Sequence, residues 1–143
     1  MTPRSVEVCA ATLQSMRFVH MLPSDSRALL SARNALEEWC RLEDTEADDI
    51  VIIANELCAN AIRHSTGSIR LSATSTATHV NVSVEQDADM ASTTPRLLAY
   101  GELDVSGRGL HIVSTIAQSW GWRLHAHRLI VWAHLNRHLI SES

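Results

Sequence analysis

The amino-acid sequence predicts an α+β fold: a two-layer α/β sandwich in which helices pack on one face of a mixed, mostly antiparallel sheet. A nearly faultless helical pattern of apolar residues runs through positions 50–62, and period-two alternation marks positions 69–73 and 80–84. Two further strand-like segments, near 120–126 and 128–135, follow towards the end of the chain. Helical and strand patterns arranged in this way are typical of helices on one side of a sheet.

Length and composition predict one globular domain. The chain has 143 residues, of which 45% are hydrophobic and 20% charged, as is ordinary for a folded protein with its own core. We assign residues 16–138 to the domain and residues 1–15 to an N-terminal extension. The net charge of −4 argues against a general nucleic-acid footprint.

Cysteine usage and hydropathy predict a cytoplasmic protein. Cys9, Cys40 and Cys58 form neither a CxxC motif nor an even-numbered disulfide framework. Cys40 and Cys58 lie among apolar residues of helical segments, where cysteine usually packs as a small hydrophobic residue. The N-terminus lacks a long apolar run, so we expect no signal peptide, no transmembrane helix and no membrane partner.

The first half of the chain predicts a strand and two helices, each with a recognisable start or stop signal. In chain order these are a strand over 16–22, a helix over 25–42 capped by Ser24, and a helix that is capped by Asp44 or Thr45 and ends near His64.

The second half predicts a hairpin, an irregular segment, a short helix and two final strands. Residues 86–105 have no usable period, and a connection of that length is often a lid or a binding loop. In chain order the regular elements are strands over 69–73 and 80–84, a helix over 109–117, and strands over 120–126 and 128–135.

A polar stripe runs along one side of the second helix. Glu56, Asn60 and His64 are spaced four apart, so they lie one above the other beside the apolar face. An Asn oxygen suits Mg²⁺, and a Glu one turn away can accept a proton from a hydroxyl or water. The alternative is that Glu56 and Asn60 are ordinary solvated helix residues.

A glycine–arginine turn precedes the short third helix. Gly107 and Gly109 permit a close approach of ligand to backbone, and the helix that follows offers free N–H groups to an anion. Arg108 between them suits phosphate oxygens. The alternative is a flexible loop with a glycine-assisted helix start, because neither a Walker A motif nor a dinucleotide fingerprint is present.

The order and spacing of these motifs resemble the GHKL (Bergerat-fold) ATPase superfamily, over roughly residues 16–135. The closest likeness is to small histidine-kinase-like ATPase domains related to bacterial anti-sigma factor serine/threonine kinases. The matching segments are residues 53–64, the strand of Val80, Val82 and Val84, and residues 107–113.

The resemblance implies ATP held between helices under a mobile lid, formed by the irregular stretch up to Gly107. Glu56 then looks like the general base and Asn60 like the Mg²⁺ ligand. The phosphate-contacting lid motif is Gly107, Arg108, Gly109 and Leu110.

The same resemblance implies partners. In such kinases a serine of a small antagonist protein takes the γ-phosphate, and the kinase also sequesters a sigma factor. It further allows a homodimer that pairs through the sheet or the first helix.

The chain departs from the family at the end of the central strand. The family places there an aspartate that accepts a hydrogen bond from the adenine amino group, whereas extending the pattern from Val84 reaches Gln86. Either a shift or bulge brings Asp87 into that place, or Gln86 stands in through its amide oxygen. A protein that kept the fold but lost ATP binding is therefore the alternative to a kinase, and ATP hydrolysis that drives a conformational change in a larger partner is a weaker third idea.

The remaining histidines and tryptophans predict packing rather than a site. His125 and His127 alternate, and His134 and His138 are four apart, but no cysteine or carboxylate stands at ligand spacing with them. The tryptophans assigned to core or edge packing are Trp120, Trp122 and Trp132.

Overall fold

The chain folds around one sheet of five strands. The structure, a computed structural model, describes residues 16–64, 67–87 and 108–140. Its elements in chain order are β1 (Phe18–Leu22), α1 (Ala28–Leu42), α2 (Asp48–His64), β2 (Ile69–Ser75), β3 (His79–Asp87), α3 (Arg108–Ile116), β4 (Ser119–His125) and β5 (Arg128–Asn136).

The sheet order is β1-β2-β3-β5-β4, and each neighbouring pair of these strands is antiparallel. Helix α1 packs on β1, α2 packs on β2 and β3, and α3 packs on β4. Helix α2 also contacts both α1 and α3, so it is the central helix of the layer. The predicted α+β architecture, with helices on one face, is confirmed.

The core lies between this helix layer and the face of the sheet that it covers. Val80, Val82 and Val84 of β3 are at most 1% exposed, as their period-two spacing requires. Leu57 of α2 is 2% exposed. Burying a side chain of this kind stabilises the fold by about 1.5–3 kcal/mol, so Leu57→Ala is expected to cost about 2–5 kcal/mol.

The predicted N-cap of α1 is wrong. The helix begins at Ala28, its N-cap position is Arg27, and no side chain caps it. Ser24 lies too early in the chain to reach the first turn, and its hydroxyl donates instead to the carbonyl of Gly67. Ser24 therefore ties the loop before α1 to the segment that leads into β2.

Arg137, just after β5, bonds to the connection between α1 and α2 and to the turn between β2 and β3, and we call these contacts the Arg137 latch. Its guanidinium donates to the carbonyl oxygens of Thr76 at 2.7 Å and Glu43 at 2.6 Å, and to the Thr45 hydroxyl at 2.9 Å. The expectation that Asp44 or Thr45 caps α2 is corrected here. Thr45 is held in the latch, and α2 begins three residues later at Asp48.

Several sequence-based assignments lie outside the described residues. They are the N-terminal extension over 1–15, residues 88–105 of the irregular segment predicted over 86–105, and Gly107. The first two residues of that segment, Gln86 and Asp87, belong to β3 instead. Within the described part of the chain, no helix is both long enough and apolar enough to span a bilayer.

Candidate functional site

Helix α2 presents a different flank to each neighbouring helix. Val51, Asn55 and Cys58 line a narrow gap together with residues of α1, so they mark the flank that faces α1. Asn60 follows Asn55 by five residues, which rotates it by about 140° around the helix axis. Because α3 is the other helix that contacts α2, Asn60 lies on the side of α2 away from α1 and towards α3.

Asn60 is a buried polar residue on that flank. It is only 6% exposed, and its Oδ1 accepts a hydrogen bond from Arg63 Nη2 at 3.3 Å. An amide oxygen has two lone pairs, so one remains for a further partner. The Asn60 amide oxygen is thus held by a hydrogen bond and largely shielded from bulk water.

Glu56 lies one turn before Asn60 and is half-buried. It also lines a groove of about 390 Å³ on the outer surface between α1 and α2, where Arg33, Glu37 and Ile52 are among its neighbours. Glu56 therefore stands between the Asn60 flank and an open groove. A carboxylate in that place can take a proton from a hydroxyl that arrives through the groove.

The predicted third helix exists and begins where the glycine–arginine turn places it. Helix α3 starts at Arg108 and runs for nine residues, and Val113 anchors it in the core with 0% exposure. The free N–H groups of its first turn carry the positive end of the helix dipole, which favours an anion. Gly109 and Leu110 belong to this first turn, while Gly107 precedes the described part.

The pairing at the end of β3 shows which of Gln86 and Asp87 faces the helices. The pairing of β3 with β5 runs residue for residue, with Gln86 opposite Leu129 and Asp87 opposite Arg128, so the strand has no bulge there. Gln86 continues the covered face after Val84 and is 3% exposed.

Asp87 points to the other side of the sheet. Its side chain is 69% exposed and pairs with Arg128, which also binds Glu85 at 2.8 Å. Hydrogen bonding to Glu85, and secondarily to Asp87, raises the pKa of the Arg128 guanidinium. Of the two candidates for the adenine contact, Gln86 therefore lies on the face that the helices cover, and Asp87 lies on the opposite face.

These residues fit a nucleotide that carries magnesium. Among the described residues, no group of three or more His, Cys, Asp or Glu side chains is placed to hold a metal ion. Mg²⁺ is usually held by one or two protein groups together with substrate phosphates and water. A single buried amide oxygen on α2, with phosphates and water as the other ligands, fits that second arrangement. Asn60 would hold the ion, and the start of α3 would meet the phosphates.

Aromatic rings pack against each other on the open face of the sheet. Trp132 and His134 meet edge to face with ring centroids 5.9 Å apart. A Cβ on Gly121 would lie 2.8 Å from Trp132 Cζ2, so the missing side chain lets the indole lie across β4. Trp122 lies opposite Val131 in the pairing of β4 with β5, so it is on the other face of the sheet, and it is 39% exposed.

Sequence reasoning missed the groove beside Glu56. Its α1 side comes from Arg33 and Glu37, which lie 23 and 19 positions before Glu56 and carry no motif. The sequence did carry one indication of the groove. Helix α1 has polar residues such as Arg33 and Glu37 on its outer side, whereas its inner side is apolar.

The fold is an α+β domain with buried polar side chains on its central helix and at the end of its central strand. The model of the histidine kinase-like ATPase domain matches residues 22–135. The chain belongs to this family, which implies an ATP-binding domain in which Mg²⁺ typically accompanies the nucleotide. No curated protein matches the chain.

Proposed function

We propose that the chain is an ATP-dependent protein serine/threonine kinase of the anti-sigma factor type. It transfers the γ-phosphate of ATP to a serine of an antagonist protein and sequesters a sigma factor. The observation that carries the proposal is the placement of Glu56 and Asn60 on α2. One side chain is half-buried beside an open groove, and the other is buried on the flank towards α3.

Each site residue has a separate task in this proposal. Bound ATP with Mg²⁺ supplies the phosphoryl group. Asn60 Oδ1 holds the ion, while the N–H groups of the first turn of α3, with Gly107, Arg108, Gly109 and Leu110, meet the phosphate oxygens. Glu56 takes the proton as the serine oxygen bonds to the γ-phosphorus, and the bond from that phosphorus to the bridging oxygen breaks to leave ADP.

The groove beside Glu56 supports transfer to a protein rather than to water alone. It is open to solvent and lined by Ile52 and Val51 as well as charged groups, so a peptide segment can lie in it. A hydroxyl carried on such a segment would approach Glu56 from the outer side of α2. The nucleotide would then occupy the opposite side, towards α3.

A non-catalytic regulator with weak ATP binding is the second candidate. The observation that favours it is Gln86, because an uncharged amide replaces the expected carboxylate on the covered face. Binding of a sigma factor, of an antagonist protein and of a second copy of the chain are further parts of the proposal, and each requires its own binding measurement.

The test uses the tagged chain purified from its native host together with the proteins that accompany it. With γ-labelled ATP, the wild-type chain should place acid-stable label on a serine of an accompanying protein. Glu56→Gln should bind ATP as well as the wild type does, but should transfer label at least about a hundredfold more slowly.

Glu38→Gln is the matched control, because Glu38 is an exposed carboxylate of α1 that pairs with Arg41 and is not part of the groove lining. It should transfer label at the wild-type rate. Normal transfer by Glu56→Gln would remove the general-base assignment. Absence of ATP binding by the wild-type chain would favour the non-catalytic regulator.

A further inference from the structure

The open face of the sheet, opposite the helix layer, carries a groove of about 360 Å³. Asn81 and Ser83 line it and alternate along β3 with Val82, which is buried beneath the helices, so the groove lies on the other face of the sheet. It crosses β3, β5 and β4. The proposed nucleotide site lies beneath the helices and leaves this groove unused.

Trp132 lies at the centre of this groove, which we call the open-face groove. In register it is between Ser83 of β3 and Gly121 of β4, and the missing side chain of Gly121 lets the indole lie across β4. His134 meets the indole edge to face, with ring centroids 5.9 Å apart. Trp132 is half-buried, so part of a large apolar ring faces solvent and is available to pack against another molecule.

Arg123 supplies a cation at one end of the open-face groove. It is exposed on β4, opposite Ile130. Glu85, on the other side of Ile130, is instead paired with Arg128 at 2.8 Å, and Asp87 is paired with Arg128 as well. In the described part of the chain, therefore, no carboxylate forms an ion pair with Arg123.

The open face is more basic than the chain as a whole. Within the described strands its arginines outnumber its carboxylates by three to two, whereas the chain has a net charge of −4. These charged residues are Arg70, Arg123, Arg128, Glu85 and Asp87. Because Arg128 engages both carboxylates, the charge that a partner meets at the groove is the Arg123 guanidinium. Its planar fork matches a carboxylate, so charge complementarity favours an acidic partner.

The shape of the open-face groove favours a segment of a protein over a small molecule. Sites for small molecules usually bury roughly 70–90% of the ligand surface, whereas a groove on the face of a sheet contacts its occupant from one side only. A peptide segment does not need to be enclosed, since the rest of its protein holds it in place. Tryptophan and arginine are also enriched among the residues that carry most of the binding energy in protein interfaces.

We infer that the open-face groove binds an acidic peptide segment of a partner protein. A carboxylate of the segment pairs with Arg123, and a neighbouring apolar side chain packs on Trp132. The backbone of the segment bonds to the amide of Asn81 and the hydroxyls of Ser83 and Ser119, which line the same groove. The inference goes beyond the proposed kinase activity and does not depend on nucleotide binding, because the two sites lie on opposite faces of the sheet.

Selection of phage-displayed random dodecapeptides on the full chain tests this inference. Millimolar Mg-ATP is present throughout, to keep peptides out of the proposed nucleotide site. Peptides that also bind the Arg123→Glu chain are removed in each round, which discards peptides that bind other surfaces. We expect the surviving peptides to be enriched in aspartate and glutamate next to phenylalanine, tyrosine or leucine.

The affinity of one surviving peptide, measured by calorimetric titration, then locates the contact. Arg123→Glu and Trp132→Leu should each weaken its binding at least about tenfold, as expected for the loss of a charge-assisted hydrogen bond or of a central aromatic contact.

Arg70→Glu is the matched control, because Arg70 is exposed on the same face but lies on β2, outside the groove. Three strand spacings separate β2 from β4. At about 4.8 Å each, they exceed the screening length of about 8 Å at 0.15 M salt. The control makes the same change of charge and should alter the dissociation constant by less than about twofold.

Arg123→Glu decides the inference even where Trp132→Leu fails to fold, because Arg123 is exposed. Survival of no peptide, survival of peptides without acidic residues, or an equal loss of affinity for Arg123→Glu and Arg70→Glu would each overturn the inference. An unchanged affinity of a folded Trp132→Leu chain would overturn it too. None of these outcomes bears on ATP binding, which is measured separately.

Discussion

The two asparagines of α2 differ in exposure and in the helix that they face. Asn55 is exposed on the flank towards α1, whereas Asn60, five residues later, is 6% exposed on the flank towards α3. They share one side-chain chemistry and one helix. They therefore form a matched pair for testing what burial and direction contribute to the site.

Asn60→Ala is expected to weaken ATP binding in the presence of magnesium by at least about tenfold, since even groups that only support a metal ligand are worth that much. Asn55→Ala should bind normally. Titration with and without magnesium measures both. An equal loss for Asn60→Ala when magnesium is removed by chelation would contradict its assignment as a metal ligand.

The two described thiols are expected to be inert in the folded protein. Burial raises the pKa of the Cys58 thiol to about 12. Burial, and then the carboxylates of Glu37 and Glu43, raise the pKa of the Cys40 thiol to about 12. Because the thiolate is the reactive form, a disulfide reagent at pH 8 should label neither residue in a Cys9→Ser background until the chain is unfolded by urea.

The same pKa shifts give a pH dependence of stability. An unfolded cysteine ionises near pH 8.5, while the folded thiols stay protonated to about pH 12. The stabilisation that these two buried thiols contribute is therefore fully present below about pH 8.5. It is lost as the pH rises towards 12, because over that range the cysteines release protons in the unfolded state but not in the folded state. Rapid labelling of the native chain at pH 8 would contradict both conclusions.

At the scale of elements, the regular patterns were predictable and the connections between them were not. The apolar period of α2 and the alternation of Val80, Val82 and Val84 express burial directly, so the sequence predicted both elements. The Arg137 latch joins residues up to 94 positions apart, and no local pattern records such a contact. Ser24 and Thr45 failed as caps because their hydroxyls bond to distant or irregular backbone instead.

The candidate site was predictable only in part, for the same reason. Helical spacing placed Glu56 and Asn60 on one stripe, but the sequence left Gln86 and Asp87 as alternatives. The choice depends on whether β3 has a bulge, which is a property of its pairing with β5 and not of its own residues. The α1 side of the groove came from a helix that has no motif.

The Arg137 latch is expected to stabilise the fold measurably. Arg137→Ala removes three hydrogen bonds from a charged donor, and such bonds contribute about 1.5–3 kcal/mol each at most. Allowing for solvent at the Thr76 contact, we expect a loss of about 2–4 kcal/mol in the free energy of unfolding. Urea titration of the two proteins measures it.

Arg123→Ala is the control for the latch, because Arg123 is exposed on β4 and should change the free energy of unfolding by less than about 0.5 kcal/mol. Arg137→Lys should recover only part of the loss, since one ammonium group cannot reach three acceptors in the geometry of a guanidinium. Equal stability of Arg137→Ala and the wild type would show that the latch contributes nothing.

At the scale of the whole molecule, the three described helices pack on one face of the sheet and have different roles. Helix α1 closes one side of the core and α2 supplies the buried polar residues. Helix α3, which begins at Arg108, packs against α2. Because ATP would contact α2, α3 and the end of β3 together, its binding should stabilise the whole fold and not a single loop.

Mg-ATP is therefore expected to raise the melting temperature of the chain. A ligand at a hundred times its dissociation constant adds about 2.7 kcal/mol of stability, which corresponds to roughly 5–10 °C for a domain of this size. Differential scanning fluorimetry with and without magnesium measures the shift. Asn60→Ala should lose most of it while Asn55→Ala keeps it, since only Asn60 lies on the flank towards α3. An unchanged melting temperature at millimolar Mg-ATP would instead identify a protein-binding regulator that retains this fold without its nucleotide.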